Sequence, residues 1–179
     1  MKSLQQHIEE RLIINKNYKS LYTEHPNNYE ELSELIKQRV KENPEEPYLL
    51  DIDVTNIDDF DGLFNVEKDQ KYYLKHTKKI DLSTWDVSNV KEFGGMFSRN
   101  PYVEYIDLSE WDLKSAQSIL SMFYGCSNLK EIKGIEDFDL TNLEKQDDPG
   151  DAFGDDAFYD CNPNIIPSWW ASHKAKYHF

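Results

Sequence analysis

Hydrophobic and polar residues recur along this chain with a spacing of 26 residues. The segment IDLSTWDVSNV begins at Ile80, and the closely similar segment IDLSEWDLKSA begins 26 residues later, at Ile106. Downstream of these copies, Met96-Phe97 is matched by Met122-Phe123 at the same spacing. A match that covers a whole unit at a fixed offset indicates an internal repeat.

Two degenerate copies flank this pair. Upstream, the segment DVTNI at Asp53 matches DVSNV at Asp86, and downstream the segment DLTNL at Asp139 matches the same stretch. The first and last copies also carry insertions. The pattern therefore predicts four units, at approximately residues 50–79, 80–105, 106–131 and 132–164.

Within a unit the pattern predicts a strand, a turn and a short helix. Ile80-Asp81-Leu82 alternates apolar and polar residues, as a short strand does. Val90, Phe93 and Phe97 then recur at the spacing of one helix face, with Ser88 as a candidate N-cap. Because such a unit cannot bury its apolar face alone, the units are expected to stack. The predicted fold class is an α/β (α+β) repeat solenoid, a short strand–helix array of about four coils.

The same patterns divide the chain into three regions. We predict an N-terminal helical segment and cap, a repeat array and an aromatic C-terminal cap, at residues 1–49, 50–164 and 165–179. Within the first region, Leu4, Ile8 and Leu12 lie at helical spacing. That stretch has two interpretations. It is either a structural cap for the repeats or an address tag. The second interpretation depends on its similarity to N-terminal segments of proteins from phages of gut bacteria.

The pattern of apolar runs also bears on location. The N-terminal stretch lacks the apolar centre of a secretory signal, and no run predicts a membrane-spanning helix. The sequence therefore favours the cytoplasm of a bacterial host, with a virion as the alternative. The two cysteines, Cys126 and Cys161, do not make a disulfide framework. Since they share one repeat position, they are expected to stack as small buried side chains.

The pattern IDLSxWDVSNV, followed by MF, Cys and Leu, resembles the BspA-like leucine-rich repeats, the DUF285 repeat of mycoplasma and gut-bacterial surface proteins. The residues that carry the resemblance most clearly are 80–97 and 106–129, within approximately 50–164. The resemblance implies a right-handed strand–helix solenoid that recognises proteins and has no enzymatic activity. This chain departs from the family in its few repeats, its degenerate outer units and its lack of an export signal.

Composition indicates a folded domain with an acidic surface. Hydrophobic residues make up 39% of the 179 residues, and 34 acidic against 20 basic residues give a net charge of −14. A negative field of this size repels the phosphates of nucleic acids and anionic membranes, and it favours basic partners. The expected partner is therefore a protein, with a basic nucleic-acid-binding host protein as one candidate. Direct contact with nucleic acid or membrane is not expected.

No constellation of residues predicts catalysis, a metal or a cofactor. Two aspartate-rich stretches supply the oxygen ligands that calcium prefers, but neither has the spacing of a calcium-binding loop. No nucleophile elbow, Cys–His pair or phosphate-binding glycine loop stands out. We therefore expect the protein not to be an enzyme. The two stretches comprise Asp51, Asp53, Asp58, Asp59 and Asp61, and Asp147, Asp148, Asp151, Asp155 and Asp156.

Three hypotheses for function remain open. The first is a non-enzymatic protein-interaction module, encoded by a phage and binding a host bacterial protein. The second is an acidic inhibitor that mimics nucleic acid and blocks a bacterial defence nuclease, as an anti-CRISPR does. The third is a virion or cell-surface structural protein. Partner contacts are predicted at variable polar positions and in the aspartate-rich insertion, namely at Thr84, Lys91, Glu110, Lys114, Asp147, Asp148 and Asp151.

Overall fold

The computed structural model of the chain describes residues 21–67, 72–145, 154 and 156–177. Its regular elements are α1 (Tyr29–Glu42), β1 (Lys79–Asp81), β2 (Tyr105–Asp107), β3 (Glu131–Lys133) and α2 (Ser168–Tyr177). Short 3-10 helices lie at Tyr72–His76, Ile135–Asp137, Leu143–Lys145 and Pro163–Ile165. Neither α-helix in these ranges is long and apolar enough to cross a membrane.

Helix α1 begins at a capped end and buries one face. The side chain of Asn28 accepts a hydrogen bond from the Glu31 N–H at 2.9 Å, and the Glu31 carboxylate accepts one from the Asn27 N–H at 2.8 Å. Two donors at the start of the helix are thereby satisfied. The hydrogen bond from the Asn27 backbone is also the main reason that the pKa of Glu31 is lowered. The buried face of the helix consists of Leu32, Ile36 and Val40.

The three strands form one parallel sheet in the order β1-β2-β3. Its register places Ile80 opposite Ile106, and Ile106 opposite Ile132. The 26-residue spacing of the repeat is therefore the spacing between neighbouring strands. In each strand the central isoleucine is buried and the residues on either side of it are exposed or half-buried, as the alternation of side chains along a strand requires.

A second set of parallel backbone contacts joins neighbouring units, beginning with the first. Asp59 pairs with Glu92, and Glu92 pairs with Ser118, as isolated parallel bridges. The bonding then continues between units, as where the Phe97 N–H donates to the Met122 carbonyl at 2.9 Å. Backbone donors in this part of each unit are thus satisfied by the neighbouring unit rather than within a helix.

The prediction of a repeat solenoid of about four strand–helix coils is wrong. Within the described ranges, both α-helices lie outside the repeat motifs, three units supply a strand, and the small sheet does not close. The helix predicted from Val90, Phe93 and Phe97 is replaced by irregular chain and, from Gly94, by turns, in which the backbone is left-handed at Gly95 (φ 55°) and at Arg99 (φ 54°). The equivalent positions in the next unit, Ser121 and Gly125, are left-handed as well. A right-handed helix does not continue through such residues.

Phenylalanine rings from successive units stack to form the centre of the core. The centroids of Phe64, Phe97, Phe123 and Phe158 follow one another at separations of 5.5, 5.4 and 5.3 Å, with nearly parallel planes. Helix α2 closes the stack, because the Trp170 ring meets the Phe158 ring edge-on at 5.1 Å. One hydrophobic cluster therefore runs from α1 through the repeats to α2.

Two buried tryptophans tie consecutive units together with their indole N–H groups. The Trp85 indole donates to the Leu49 carbonyl at 2.9 Å, and the Trp111 indole donates to the Leu82 carbonyl at 3.0 Å. A buried indole N–H without an acceptor would be costly. The repeated tryptophan therefore contributes both apolar volume and a bond to the unit before it.

The aspartates and asparagines of the repeated segments DVTNI, DVSNV, DLKSA and DLTNL have different roles. The aspartate that begins each segment accepts a hydrogen bond from the backbone N–H two residues later, which stabilises its own turn. Asn142 instead reaches across to the neighbouring unit and donates to the Ala116 carbonyl at 2.8 Å. Both sets of side chains are therefore structural. The aspartates are Asp53, Asp86, Asp112 and Asp139.

Candidate functional site

The outward side of the three-stranded sheet forms a shallow groove of about 350 Å³. The first residue of each strand is exposed, and the third is exposed or half-buried. Side chains from three strands therefore stand side by side on one surface. Two of the buried isoleucines, Ile80 and Ile106, also line this groove. Its other lining residues from the strands are Lys79, Asp81, Tyr105, Asp107, Glu131 and Lys133.

The segment that precedes the repeats extends this surface by one row. The N–H groups of Lys78 and Lys79 donate to the Glu45 carbonyl at 2.8 and 3.0 Å, just as the N–H groups of Glu104 and Tyr105 donate to the Lys78 carbonyl. This shared pattern puts Glu46 beside Lys79. We call the resulting surface the sheet face. The charged and aromatic residues that line its groove are Glu46, Lys79, Asp81, Tyr105, Asp107, Glu131 and Lys133. Tyr48 is assigned to the edge of the sheet face because it is exposed and follows Glu46 by two residues, as Asp81 follows Lys79.

Charged side chains of the sheet face pair across neighbouring strands. Lys133 Nζ lies 2.8 Å from Asp107 Oδ2, and Lys79 Nζ lies 3.3 Å from Glu46 Oε2. Burial works to raise the pKa of Asp107, but hydrogen bonds from Lys133 and Ser109 outweigh it and the pKa is lowered. The bond to Asp107 in turn raises the pKa of Lys133. These two groups therefore stay charged through neutral pH.

Tyr105 is the aromatic centre of the sheet face and is 38% exposed. The Lys130 ammonium lies 5.7 Å from the centroid of its ring, within the range of a cation–π contact. Lys130 also pairs with Glu104, whose second partner is Lys78 at 3.2 Å. Hydrogen bonds from Lys130 and Lys78 lower the pKa of Glu104. The ring is thus held within a set of paired charges, with part of its surface open to a ligand.

The sequence-predicted contact residues do not form one surface. Thr84 is buried, and its hydroxyl donates to the Leu50 carbonyl at 2.7 Å. Thr84 and Glu110 line a separate depression of about 150 Å³ that also includes Asp112, and Lys114 Nζ pairs with Asp112 Oδ2 at 3.2 Å. These positions therefore gather in the turns beside the sheet. Asp147, Asp148 and Asp151 lie outside the described residues.

Lys91 lies elsewhere, in the second set of parallel contacts. Its N–H donates to the Asp58 carbonyl at 2.9 Å, and its side chain is exposed. Burial, followed by the nearby charges of Asp59 and Asp61, raises the pKa of Glu92 in the same region. In the part of the chain that the structure describes, no group of three or more His, Cys, Asp or Glu residues is arranged to hold a metal ion.

Both cysteines are reduced thiols in equivalent positions of the repeat. Cys126 Sγ donates to the Phe97 carbonyl and Cys161 Sγ to the Phe123 carbonyl, each at 3.0 Å. Burial raises the pKa of Cys126 and raises the pKa of Cys161 to about 11. Because the thiolate is the reactive form, neither thiol is activated as a nucleophile at neutral pH.

Sequence reasoning missed the whole sheet face, including its two tyrosines, Tyr48 and Tyr105. Tyr105 comes directly before the repeat motif that begins at Ile106, in the position that Lys79 occupies in the preceding unit. A comparison of that position across units could therefore have identified Tyr105 as an exposed strand residue. Tyr48 has no such signal, because the pairing of its segment with β1 depends on backbone contacts that the sequence pattern does not reveal.

Comparison with known protein families gives a match over much of the chain. The family model described as "Mycoplasma protein of unknown function, DUF285" matches residues 31–153, which confirms the resemblance that the repeat motif indicated. No match was found among curated proteins or among solved structures. The matched range includes helix α1 from Glu31 onward, all three strands and the whole sheet face.

Proposed function

This chain belongs to the DUF285 family, and we propose that it is a non-enzymatic protein-interaction domain that contacts its partner through the sheet face. The observation that carries this proposal is the exposed Tyr105 ring at the centre of a groove lined by charges of both signs. We propose a bacterial protein with a basic surface as the partner, because the acidic composition of the chain favours a partner of opposite charge.

The chemistry of the sheet face suits a protein ligand. Tyrosine is enriched at binding hot spots, since its ring buries a large area and its hydroxyl forms a hydrogen bond. The ion pairs around Tyr105, including Lys133 with Asp107, hold their side chains in place before binding. Little side-chain entropy is then lost on association. The strands are short, so a stable interface needs flanking surface as well, and Tyr48, which is 54% exposed, supplies it.

Replacing Tyr105 with alanine is expected to weaken binding of the partner about tenfold or more, the effect of removing an aromatic hot spot. The partner would first be captured from bacterial lysate by the tagged protein and identified by mass spectrometry. Its dissociation constant would then be measured by calorimetry with the purified wild-type protein and with Tyr105→Ala. Since Tyr105 is 38% exposed, the fold should survive, and circular dichroism would verify this.

The matched control is Tyr102→Ala, which removes a tyrosine of nearly the same exposure, 37%, outside the sheet face. Partner binding by Tyr102→Ala should stay closer to wild type than binding by Tyr105→Ala. If Tyr105→Ala and Tyr48→Ala both bound the partner as tightly as the wild-type protein, the sheet face would not be the binding surface. Turnover of a substrate by the purified protein would overturn the non-enzymatic proposal itself.

A second candidate function is the acidic inhibitor of a nucleic-acid-binding protein. It is favoured by the net charge of −14 and by the closeness of Asp59, Asp61 and Glu92, whose mutual repulsion contributes to the raised pKa of Glu92. A surface of this kind attracts a basic partner mainly through long-range electrostatics.

This candidate predicts strongly salt-dependent binding. Raising the salt from low to high concentration should weaken the complex by on the order of tenfold or more, because added ions screen exposed charges. The triple variant Asp59→Asn, Asp61→Asn, Glu92→Gln should show a shallower dependence in the same titration. An affinity that does not change with salt, and does not change in the triple variant, would exclude the acidic mimic.

A further inference from the structure

A half-buried tyrosine, Tyr124, and an exposed tyrosine, Tyr159, stack on each other on a surface apart from the sheet face. The rings of Tyr124 and Tyr159 are 5.4 Å apart and inclined by 14°. Their backbones are held together, because the Gly125 N–H donates to the Tyr159 carbonyl at 2.8 Å. We call this pair the tyrosine ladder. Tyr159 is 64% exposed, the largest value among the exposed hydrophobic side chains of the described residues.

The tyrosine ladder already binds one cation of the chain itself. The Arg99 guanidinium lies 5.9 Å from the centroid of the Tyr124 ring and forms an ion pair with Glu67. The hydrogen bond to Glu67 raises the pKa of Arg99. A ring, an arginine and a carboxylate thus form a three-part contact at this step of the ladder.

At the second tyrosine of the ladder, Tyr159, an aromatic ring and a carboxylate are again adjacent in the chain. Tyr159 supplies the ring, and the adjacent Asp160 supplies an acidic side chain that lines the same groove of about 340 Å³ as Arg99 and Tyr124. Asp160 adopts the left-handed conformation (φ 57°) that Arg99 and Gly125 adopt in the units before it. The turn therefore has the same backbone form at each step.

We propose that the tyrosine ladder, together with Asp160, is a second docking surface, which accepts an arginine side chain from a protein partner. The guanidinium would stack on the exposed part of the Tyr159 ring and pair with the Asp160 carboxylate, as Arg99 does with Tyr124 and Glu67. Charge complementarity favours this occupant, because the groove contains two carboxylates, Glu67 and Asp160, and one cation, Arg99, and the chain as a whole carries a net charge of −14. Arginine fits better than lysine, since its planar group stacks on an aromatic ring and is more weakly hydrated.

The test uses blocked hexa-arginine and hexa-lysine peptides of equal charge as probes, added at low salt to the isotope-labelled full chain. Amide shifts should be largest at Tyr124, Tyr159 and Asp160 with the arginine peptide, which should bind more tightly than the lysine peptide. Tyr159→Ala should weaken arginine-peptide binding about two- to fivefold, the range of an exposed cation–π contact. Asp160→Asn keeps a residue that tolerates the left-handed turn and should weaken binding as well.

Tyr159→Phe retains the ring and should bind the arginine peptide with nearly wild-type affinity. Tyr105→Ala, on the sheet face, should leave this binding unchanged, so failure of the ladder and failure of the sheet face are distinguishable. Equal affinity for the two peptides, together with no effect of Tyr159→Ala, would mean general attraction to an acidic surface and would overturn the proposal. Shifts that cluster on the sheet face would overturn it too.

Discussion

Replacing Phe97 with alanine is expected to lower the free energy of unfolding by about 3–5 kcal/mol, the usual cost of deleting a buried phenylalanine ring. Phe97 has no exposed surface, and its ring lies between those of Phe64 and Phe123 at 5.5 and 5.4 Å. Its N–H donates to the Met122 carbonyl, so the backbone around the new cavity is held in place. A cavity that cannot collapse costs more than the lost transfer energy alone.

Urea unfolding followed by circular dichroism would measure this change. Phe97→Leu fills part of the space and should cost less than Phe97→Ala, which keeps the test informative if the alanine variant does not fold. Tyr102→Ala removes an aromatic ring that is 37% exposed and should stay within about 0.5 kcal/mol of wild type. Equal stabilities of Phe97→Ala and Tyr102→Ala would mean that the phenylalanine stack does not hold the units together.

The spacing of the repeat is the part of the fold that the sequence predicts best. Neighbouring strands of a parallel sheet place equivalent residues of successive repeats side by side. Residues that are one repeat length apart in the sequence are therefore expected to pair between the strands. Ile80 and Ile106 are matched in the sequence and are paired in the sheet. The same reasoning places Ile132 in the third strand, at the start of the most degenerate unit.

The helix within each unit shows where the pattern is ambiguous. Val90, Phe93 and Phe97 are all buried, as their spacing indicates, yet none of them is helical: Phe97 lies in a turn, and Val90 and Phe93 lie in irregular chain. Over a single short segment, periodicity does not separate a helix from a chain that turns back on its neighbour. The pair Gly94-Gly95 is the available signal against a helix, because glycine is unfavourable inside one and Gly95 is left-handed here.

The sheet face was missed for a different reason. The sequence argument chose polar positions that vary between units, and this selected Thr84. That residue is buried, and its hydroxyl donates a hydrogen bond to the Leu50 carbonyl. Variation alone does not distinguish an exposed side chain from one that satisfies a buried carbonyl. The strand position before each isoleucine holds Lys79 and Tyr105, and its exposure follows once strand alternation is applied to it.

The second large effect is expected at Arg39, whose replacement by methionine should cost about 3 kcal/mol, the lower end of the range for breaking a buried ion pair. Arg39 Nη2 lies 2.9 Å from Asp51 Oδ2 and 3.2 Å from Glu24 Oε1. The side chains of Arg39 and Asp51 are only 18% and 10% exposed. Thr23 donates to the same Asp51 oxygen at 2.5 Å. Methionine keeps much of the apolar stem but leaves Asp51 without its cation.

This contact joins α1 to the chain on both sides of it, since Glu24 also pairs with Ile52 through a parallel backbone bridge. Urea unfolding at neutral pH would compare Arg39→Met with Lys37→Met on the same helix. Lys37 pairs with Glu34 at 2.9 Å, but both side chains are more than half exposed, so its loss should cost no more than about 0.5 kcal/mol.

Replacing Asp51 with leucine in the Arg39→Met background should restore part of the stability, because no unpaired charge then remains buried. Equal, small losses for Arg39→Met and Lys37→Met would show that the Arg39–Asp51 pair is solvated and does not hold α1 against the first repeat.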